Sequence, residues 1–168
     1  MTGATEKQLD TAFHHAIERS EEFRTWFLGR TKFAGRRARI VLLRSNHPWY
    51  QSTKTGVQSE TDILIILEDL DTRCRFALHV ENKLANGKFG PSQPRLYRER
   101  AEDWRFVPKW GNYDEYEIVL IAPRTFRDRN AEKADTFDVF VPHEDIAAFV
   151  PEFGGVTAIQ PSTVHAHD

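Results

Sequence analysis

The sequence predicts an α/β fold with a mixed central β-sheet of about five strands flanked by helices. A long segment near the start repeats its apolar residues at helical spacing, and five short apolar runs have the length of buried strands. The second and third of these runs are joined by a turn too short for the crossover that a parallel pair needs. The sheet must therefore contain an antiparallel pair, and helices are expected to cover it.

The first predicted element is an amphipathic helix over residues 6–28. Thr5 can cap its start, because a threonine oxygen accepts a hydrogen bond from the backbone of the first turn, and Gly29 can end it. The apolar residues that recur at helical spacing form one stripe, and they are Leu9, Phe13, Ala16, Ile17, Phe23 and Phe27. Such a stripe marks the face of a helix that packs on the core.

The remaining elements alternate between strands and helices. Residues 45–60 are polar, carry Pro48 and Gly56, and predict a surface loop. A helix is predicted from Ser92, which can cap it, to about Trp104, with Pro94 in the first turn, where proline is tolerated. The predicted strands cover residues 39–43, 61–67, 75–83, 116–122 and 137–141, and the later helices cover residues 124–134 and 143–150.

Length and composition predict one domain over residues 1–150, followed by a poorly ordered tail over residues 151–168. Cys74 is the only cysteine, so a disulfide within the chain is excluded and a thiolate zinc site is not expected. The sequence has no apolar run long enough for a membrane span, and residues 1–10 lack the basic start and apolar stretch of a secretory signal. We therefore expect a cytoplasmic protein with no membrane partner.

The charge balance limits how the chain could bind nucleic acid. A net charge of −2 excludes a polycationic protein, so binding would require a local basic patch. One candidate segment carries five basic residues, namely Arg30, Lys32, Arg36, Arg37 and Arg39. The same segment is equally well explained as a solvated, charged connection between two elements.

The most informative feature is the hairpin predicted for the second and third strands. Because side chains alternate between the faces of a strand, Glu81 and Lys83 point to the same side. A turn centred near Asp71 places Asp62 opposite Val80 or Glu81. An aspartate, a glutamate and a lysine therefore cluster near the open end of the hairpin. The alternative is an edge hairpin with exposed charges, since Glu-X-Lys occurs often by chance.

This cluster has the composition of a metal site for phosphoryl chemistry. Asp62 and Glu81 supply the hard oxygen ligands that Mg²⁺ (or Mn²⁺) takes. A bound ion lowers the pKa of an attacking water and neutralises charge that builds on the phosphoryl oxygens. Lys83 can hold or polarise that water, or stabilise the phosphorane-like state.

Residues 59–104 resemble the PD-(D/E)XK nuclease superfamily, and the similarity covers most of residues 5–105 and, more loosely, the strand at residues 137–141. Members of that superfamily carry an Asp on one strand and Glu-X-Lys on the next, followed by a helix. Asp62, Glu81 and Lys83 match these positions, and Thr61 stands where the name-giving proline would be. The resemblance implies a restriction-endonuclease-like αβββαβ core in which the matching residues are catalytic.

The resemblance extends to the helix that follows the hairpin. Gln93 and Tyr97, one helical turn apart, match the Gln-x-x-x-Tyr motif of RecB-like members. It implies that Gln93 orients the attacking water or contacts Lys83, and that Tyr97 hydrogen-bonds a phosphate of the substrate. The alternative is a helix with a polar residue at the edge of its packing face.

Many members of the superfamily also draw an acidic metal ligand from the first helix. Glu6 and Asp10 lie near the apolar stripe, whereas Glu18 and Glu22 point away from it. Glu6 is therefore the expected third metal ligand. The alternative for Glu6 is an ordinary acid in a first helical turn, which the helix dipole favours.

The resemblance implies a Mg²⁺-dependent deoxyribonuclease that hydrolyses DNA phosphodiester bonds, in DNA repair, restriction or phage defence. The alternative is a non-catalytic, nuclease-like subunit that binds nucleic acid or serves assembly. A homodimer and a larger repair or defence complex are both compatible with the sequence. The choice between endonuclease and exonuclease, and between DNA and RNA, stays open.

Overall fold

The predicted mixed sheet of five strands forms the centre of the fold in the computed structural model, which describes residues 3–154. The strands of the structure are β1 (Ala38–Arg44), β2 (Trp49–Gln51), β3 (Gln58–Glu60), β4 (Ile63–Asp69), β5 (Arg75–Asn82), β6 (Glu115–Ala122) and β7 (Val139–Pro142). The central sheet has the order β1-β4-β5-β6-β7. The pairs β1–β4 and β4–β5 are antiparallel, and the pairs β5–β6 and β6–β7 are parallel. The predicted fold class is confirmed.

Helices flank this sheet. They are α1 (Glu6–Arg19), α2 (Glu21–Leu28), α3 (Gln93–Trp104), α4 (Arg124–Arg129), α5 (Ala131–Ala134) and α6 (His143–Ile146), with short 3₁₀ helices at Pro108–Trp110 and Pro151–Gly154. Within residues 3–154, no helix combines the length and the apolar character that a bilayer span requires.

The single helix predicted over residues 6–28 is in fact two helices that meet at Ser20. Its start is as predicted, because Thr5 and Gln8 exchange hydrogen bonds between side chain and backbone in a capping box. Ser20 has an extended backbone, and its hydroxyl accepts a hydrogen bond from the N–H of Phe23. A serine that caps the following turn interrupts a helix without interrupting its apolar stripe, so the periodicity of the sequence does not reveal the break.

The loop predicted over residues 45–60 contains a two-stranded hairpin, β2–β3. Its strands are too short and too polar to show in the sequence, and contacts with α3 hold them. Tyr50 is buried, packs edge-on against Trp104, and donates a hydrogen bond to Asp103. The helix predicted over residues 124–134 is likewise divided, at Asn130, whose amide donates to the carbonyl of Phe126.

The last predicted elements differ from the structure at their ends. The strand predicted over residues 137–141 is Val139–Pro142, and the helix predicted over residues 143–150 ends at Ile146. The tail predicted from residue 151 begins with a 3₁₀ helix whose Phe153 is buried in the core. Residues 155–168 lie outside the described residues.

The two central strands are buried along both faces, which explains their continuous apolar character. One face packs against α1 and α2 through residues that include Phe13, Phe23, Phe27, Ile65 and Leu78. The other face packs against α3 and the segment before β6 through residues that include Leu64, Ile66, Ala77, Trp104 and Tyr113. Each helical layer therefore approaches the hairpin from its own side.

We predict that Phe13→Ala lowers the free energy of unfolding by about 3–5 kcal/mol, because it removes the centre of an aromatic cluster. The Phe13 ring lies 5.5, 5.0 and 6.4 Å from the rings of Phe23, Phe27 and Phe153. Urea unfolding followed by circular dichroism gives the measurement. Phe106→Ala is the matched control, because 74% of that residue is exposed; equal losses in the two variants would contradict the packing described.

Candidate metal centre

Strand pairing brings the predicted carboxylates together at one end of the β4–β5 hairpin. Ile63 lies opposite Val80, and the same register continued by one residue sets Asp62 opposite Glu81. Both acidic residues are buried, with relative exposures of 5% and 1%. The hairpin geometry expected from the sequence is therefore present.

Glu81 has one engaged and one unengaged oxygen. Lys83 Nζ lies 3.1 Å from Oε1, and Gln93 Nε2 donates a hydrogen bond to the same oxygen at 2.6 Å. Oε2 is buried and has no hydrogen-bond partner among the described residues. A buried carboxylate oxygen without a partner costs free energy, and a bound cation would supply the missing interaction.

Asp62 is held from three directions. Its Oδ2 accepts a hydrogen bond of 2.8 Å from the backbone N–H of Asn82, and its Oδ1 lies 3.3 Å from Nδ1 of His47. The backbone N–H of Asp62 donates to the hydroxyl of Tyr97 at 3.1 Å. Tyr97 is buried and its hydroxyl is engaged with the backbone, so it fixes the position of Asp62. The sequence predicted instead that this hydroxyl contacts a phosphate of the substrate.

A third buried carboxylate, Asp10, enters from α1. Its Oδ1 accepts a hydrogen bond of 2.7 Å from the side-chain amide of Asn82. The Oδ1 of Asn82 lies 2.8 Å from Nε2 of His143. Since an amide oxygen only accepts, the His143 nitrogen must donate. Burial lowers the pKa of His143 to about 4, so the ring is neutral and donates from this nitrogen. Asn82 thus joins Asp10 to Asp62, and His143 orients Asn82.

Asp10, His47 and Asp62 form a group that can hold a metal ion, since one ligand atom from each lies within 4.8 Å of the others. His47 Nε2 is 3.2 Å from Oδ2 of Asp10, so the ring stands between the two carboxylates. His47 lies between β1 and β2 with a positive φ of 54°, an uncommon value for a residue other than glycine. No sequence signal identified this histidine, because its position depends on how the loop folds back.

Glu6, the expected ligand from the first helix, lies one turn before Asp10 and is half-buried. It lines the same cleft as Glu81 and Lys83. Burial raises the pKa of Glu6, and the nearby charges of Glu81 and Asp10 add to the rise. The first helix therefore presents two acids to the site, of which Asp10 belongs to the three-residue group and Glu6 stands at its margin.

Burial and mutual repulsion make the ionised site unfavourable in the absence of a cation. Burial is the largest cause that raises the pKa of Asp62 well above its ordinary value, and the charges of Glu81 and Asp10 raise it further. Burial also raises the pKa of Glu81, although Lys83 opposes the rise. Burial raises the pKa of Asp10 to about 6. Three carboxylates that resist ionisation together are an arrangement that a divalent cation relieves.

Two of these carboxylates, Asp62 and Glu81, line an open cleft of about 610 Å³. Its walls come from the hairpin, from α1, from β3 and from the start of α3. The polar lining residues are Glu6, Gln58, Ser59, Glu60, Asp62, Glu81, Lys83, Ser92, Gln93 and Tyr97. The predicted residues Asp62, Glu81, Lys83, Gln93, Tyr97 and Glu6 therefore all meet at one cleft.

A buried arginine connects α3 to the residue that precedes Asp62. Arg100 on α3 donates from Nε to the hydroxyl of Thr61 at 2.5 Å, and its guanidinium lies 4.3 Å from the ring centroid of Tyr97. The Thr61 hydroxyl also contacts Nδ1 of His79 at 3.2 Å. A hydroxyl at position 61, where the nuclease motif has proline, thus connects α3 to the hairpin. Burial lowers the pKa of Arg100, and the charges of Glu81 and Asp62 offset part of that effect.

The basic segment around residues 30–39 does not contribute to this cleft. Its arginines pair with acidic residues, in the pairs Arg30–Asp145, Arg36–Glu115, Arg37–Asp71 and Arg39–Glu68. Two of these acids belong to the turn end of the β4–β5 hairpin, which is opposite the carboxylates. The pairing favours the interpretation of this segment as a charged connection.

We predict that Asp10→Asn stabilises the metal-free protein at pH 7 by on the order of 1–3 kcal/mol. The pKa of Asp10 is raised to about 6 in the folded protein. The folded protein therefore binds the Asp10 proton more tightly than the unfolded chain does. The contribution of this proton to the free energy of unfolding is complete below a pH of about 4 and is lost as the pH rises through about 6. The asparagine keeps the acceptor for Asn82 and removes the ionisation.

Urea unfolding in EDTA at pH 4 and at pH 7 measures this effect, and the variant should match the wild type at the lower pH. Asp128→Asn is the control for the substitution itself, since Asp128 is exposed. A gain that is equal at both pH values would contradict the assigned cause.

Comparison of the chain with protein-family models, with curated proteins and with solved structures finds no match. What the cleft does must therefore be inferred from its own residues. The residues in and beside the cleft are three buried carboxylates, a histidine between two of them, and a lysine and a glutamine on the third.

Proposed function

We propose that this protein is a metal-dependent nuclease that hydrolyses phosphodiester bonds of DNA. The observation that carries the proposal is the meeting of Asp62, Glu81 and Lys83 in one open cleft, with the acids buried and Lys83 Nζ 3.1 Å from a Glu81 oxygen. The same three residues match the PD-(D/E)XK pattern, which supports DNA as the substrate. Mg²⁺, or Mn²⁺ in its place, is the proposed cofactor.

The residues of the cleft fit a hard divalent cation. Asp62 and Glu81 would hold it, and the unpartnered Oε2 of Glu81 is a ready ligand atom. Asp62 also belongs to the group with Asp10 and His47 that can hold a metal ion, and an imidazole ligand is typical of transition metals rather than of Mg²⁺. When bound, such an ion neutralises charge on the phosphoryl oxygens and lowers the pKa of a nearby water.

The other residues of the cleft have separate tasks in this proposal. Lys83 carries a positive charge at the mouth of the site, where it can orient the attacking water and stabilise the pentavalent phosphate. Gln93 donates to Glu81 and holds the carboxylate that faces Lys83. Tyr97 fixes the backbone of Asp62. The two residues of the Gln-x-x-x-Tyr motif therefore support the acids rather than the substrate.

We predict that the wild type cleaves plasmid and linear DNA in Mg²⁺ or Mn²⁺ and that Asp62→Ala reduces cleavage to background. Lys83→Ala is expected to lose about 10²- to 10³-fold, the usual loss for one charge-stabilising donor. Product formation on gels measures both. Lys32→Ala is the matched control, because Lys32 lies beside Glu117, away from the carboxylate end of β5. Equal cleavage by wild type, Asp62→Ala and Lys83→Ala would refute the proposal.

A second measurement separates the nuclease from a non-catalytic module. Calorimetry with Mn²⁺ should detect binding to the wild type and a much weaker signal with Asp62→Asn, which keeps the shape of the side chain and removes its charge. Loss of a group that only orients a metal ligand typically costs about 10- to 100-fold in affinity, so loss of the charge of a ligand should cost about 10-fold or more. DNA binding without any binding of Mn²⁺ would instead support a nucleic-acid-binding or assembly subunit.

A further inference from the structure

A second pocket adjoins the candidate metal centre through His47. Its volume is about 390 Å³. Its lining residues are Arg44, Asn46, His47, Pro48, Trp49, Lys109 and Trp110. Because the His47 ring contacts both Asp10 and Asp62, a group bound in this pocket would lie next to the carboxylates.

The pocket presents an aromatic surface to solvent. Trp49 is 56% exposed, although a large apolar side chain is ordinarily buried. It is fixed on β2, opposite Glu60 of β3, and Glu60 in turn contacts His47 at 3.1 Å. Trp110 forms another wall and is held by stacking on Trp104, with ring centroids 4.2 Å apart. Both tryptophans are therefore positioned by the fold, and one of them has an open face.

The cations of this pocket, unlike the arginines of the segment at residues 30–39, are not paired with acidic residues among the described residues. Arg44 and Lys109 are exposed, and neither forms an ion pair within residues 3–154. Lys109 Nζ lies 4.8 Å from the ring centroid of Trp110. Unneutralised cations beside an open aromatic face have the chemistry that binds a stacked base together with its flanking phosphates.

We propose that this pocket binds an unpaired nucleobase of the strand that enters the metal centre. Trp49 stacks on the base, and Arg44 and Lys109 neutralise the neighbouring phosphates. In the interior of a duplex both faces of each base are covered by its neighbours, so away from duplex ends only a strand with unpaired bases can occupy the pocket. The inference that such a strand is also cleaved rests on the proposed nuclease function; the binding of the strand does not.

The test measures binding of a short fluorescein-labelled oligothymidylate by anisotropy, in EDTA so that no cleavage occurs. Trp49→Ala should weaken binding roughly 5- to 100-fold, the range for loss of one stacked base, and Trp49→Phe should retain most of the affinity. Arg44→Ala and Lys109→Ala should weaken binding and lower its salt dependence. Phe106→Ala is the matched control, because it removes another exposed aromatic ring that has an arginine beside it.

A relaxed, covalently closed circular DNA duplex, which has no exposed terminal base, is measured in parallel by competition, and its affinity should not respond to Trp49→Ala. Unchanged binding of the oligothymidylate to Trp49→Ala would overturn the proposal, and so would an equal loss for the duplex. Cleavage that depends on Asp62 together with no effect of Trp49 on binding would reject the pocket alone. Binding that depends on Trp49 without metal-dependent cleavage would uphold the pocket and reject the nuclease.

Discussion

Burial of three carboxylates at the end of one hairpin is the constraint on which the polar structure of this protein depends. Asp62 and Glu81 meet across β4 and β5, and Asp10 reaches them from the opposite face of the sheet. Asn82 makes this meeting possible, because its backbone N–H holds Asp62 while its side chain turns to the other face and holds Asp10. The charges of Glu81 and Asp10 add to burial in raising the pKa of Asp62, so the arrangement is best suited to a state in which a cation is present.

One face of α3 provides most of the remaining support. Gln93, Tyr97 and Arg100 are spaced by four and three residues, so they share that face. Gln93 contacts Glu81, and Tyr97 contacts the backbone of Asp62. Arg100 contacts Thr61, the residue that precedes Asp62. A helix that docks on the sheet by its apolar residues therefore also sets the positions of two acids. The positive charge of the arginine, placed behind these acids, partly compensates their burial.

Charge is distributed unevenly along the hairpin. At the turn end, arginines are matched by acids, which leaves little attraction for an anionic partner. At the carboxylate end, Lys83 faces a cleft, and Arg44 and Lys109 face the pocket beside it. A chain with a net charge of −2 can thus offer a local positive surface beside an acidic site. In the proposed nuclease, these two features would draw a phosphate chain toward the metal ion.

The sequence by itself determined the layered α/β fold and the meeting of Asp62, Glu81 and Lys83 at one end of a hairpin, because both follow from local periodicity and from the length of one turn. The register that sets Asp62 opposite Glu81 rather than Val80 was decided by the structure. It also indicated the face of α3 that carries Gln93 and Tyr97. Only the tertiary structure decided that Asp10 joins the buried acids, that His47 stands between two of them, and that the polar segment before β4 forms a hairpin. These features depend on contacts between residues far apart in the chain, and a left-handed backbone at one loop residue leaves no periodic pattern in the sequence.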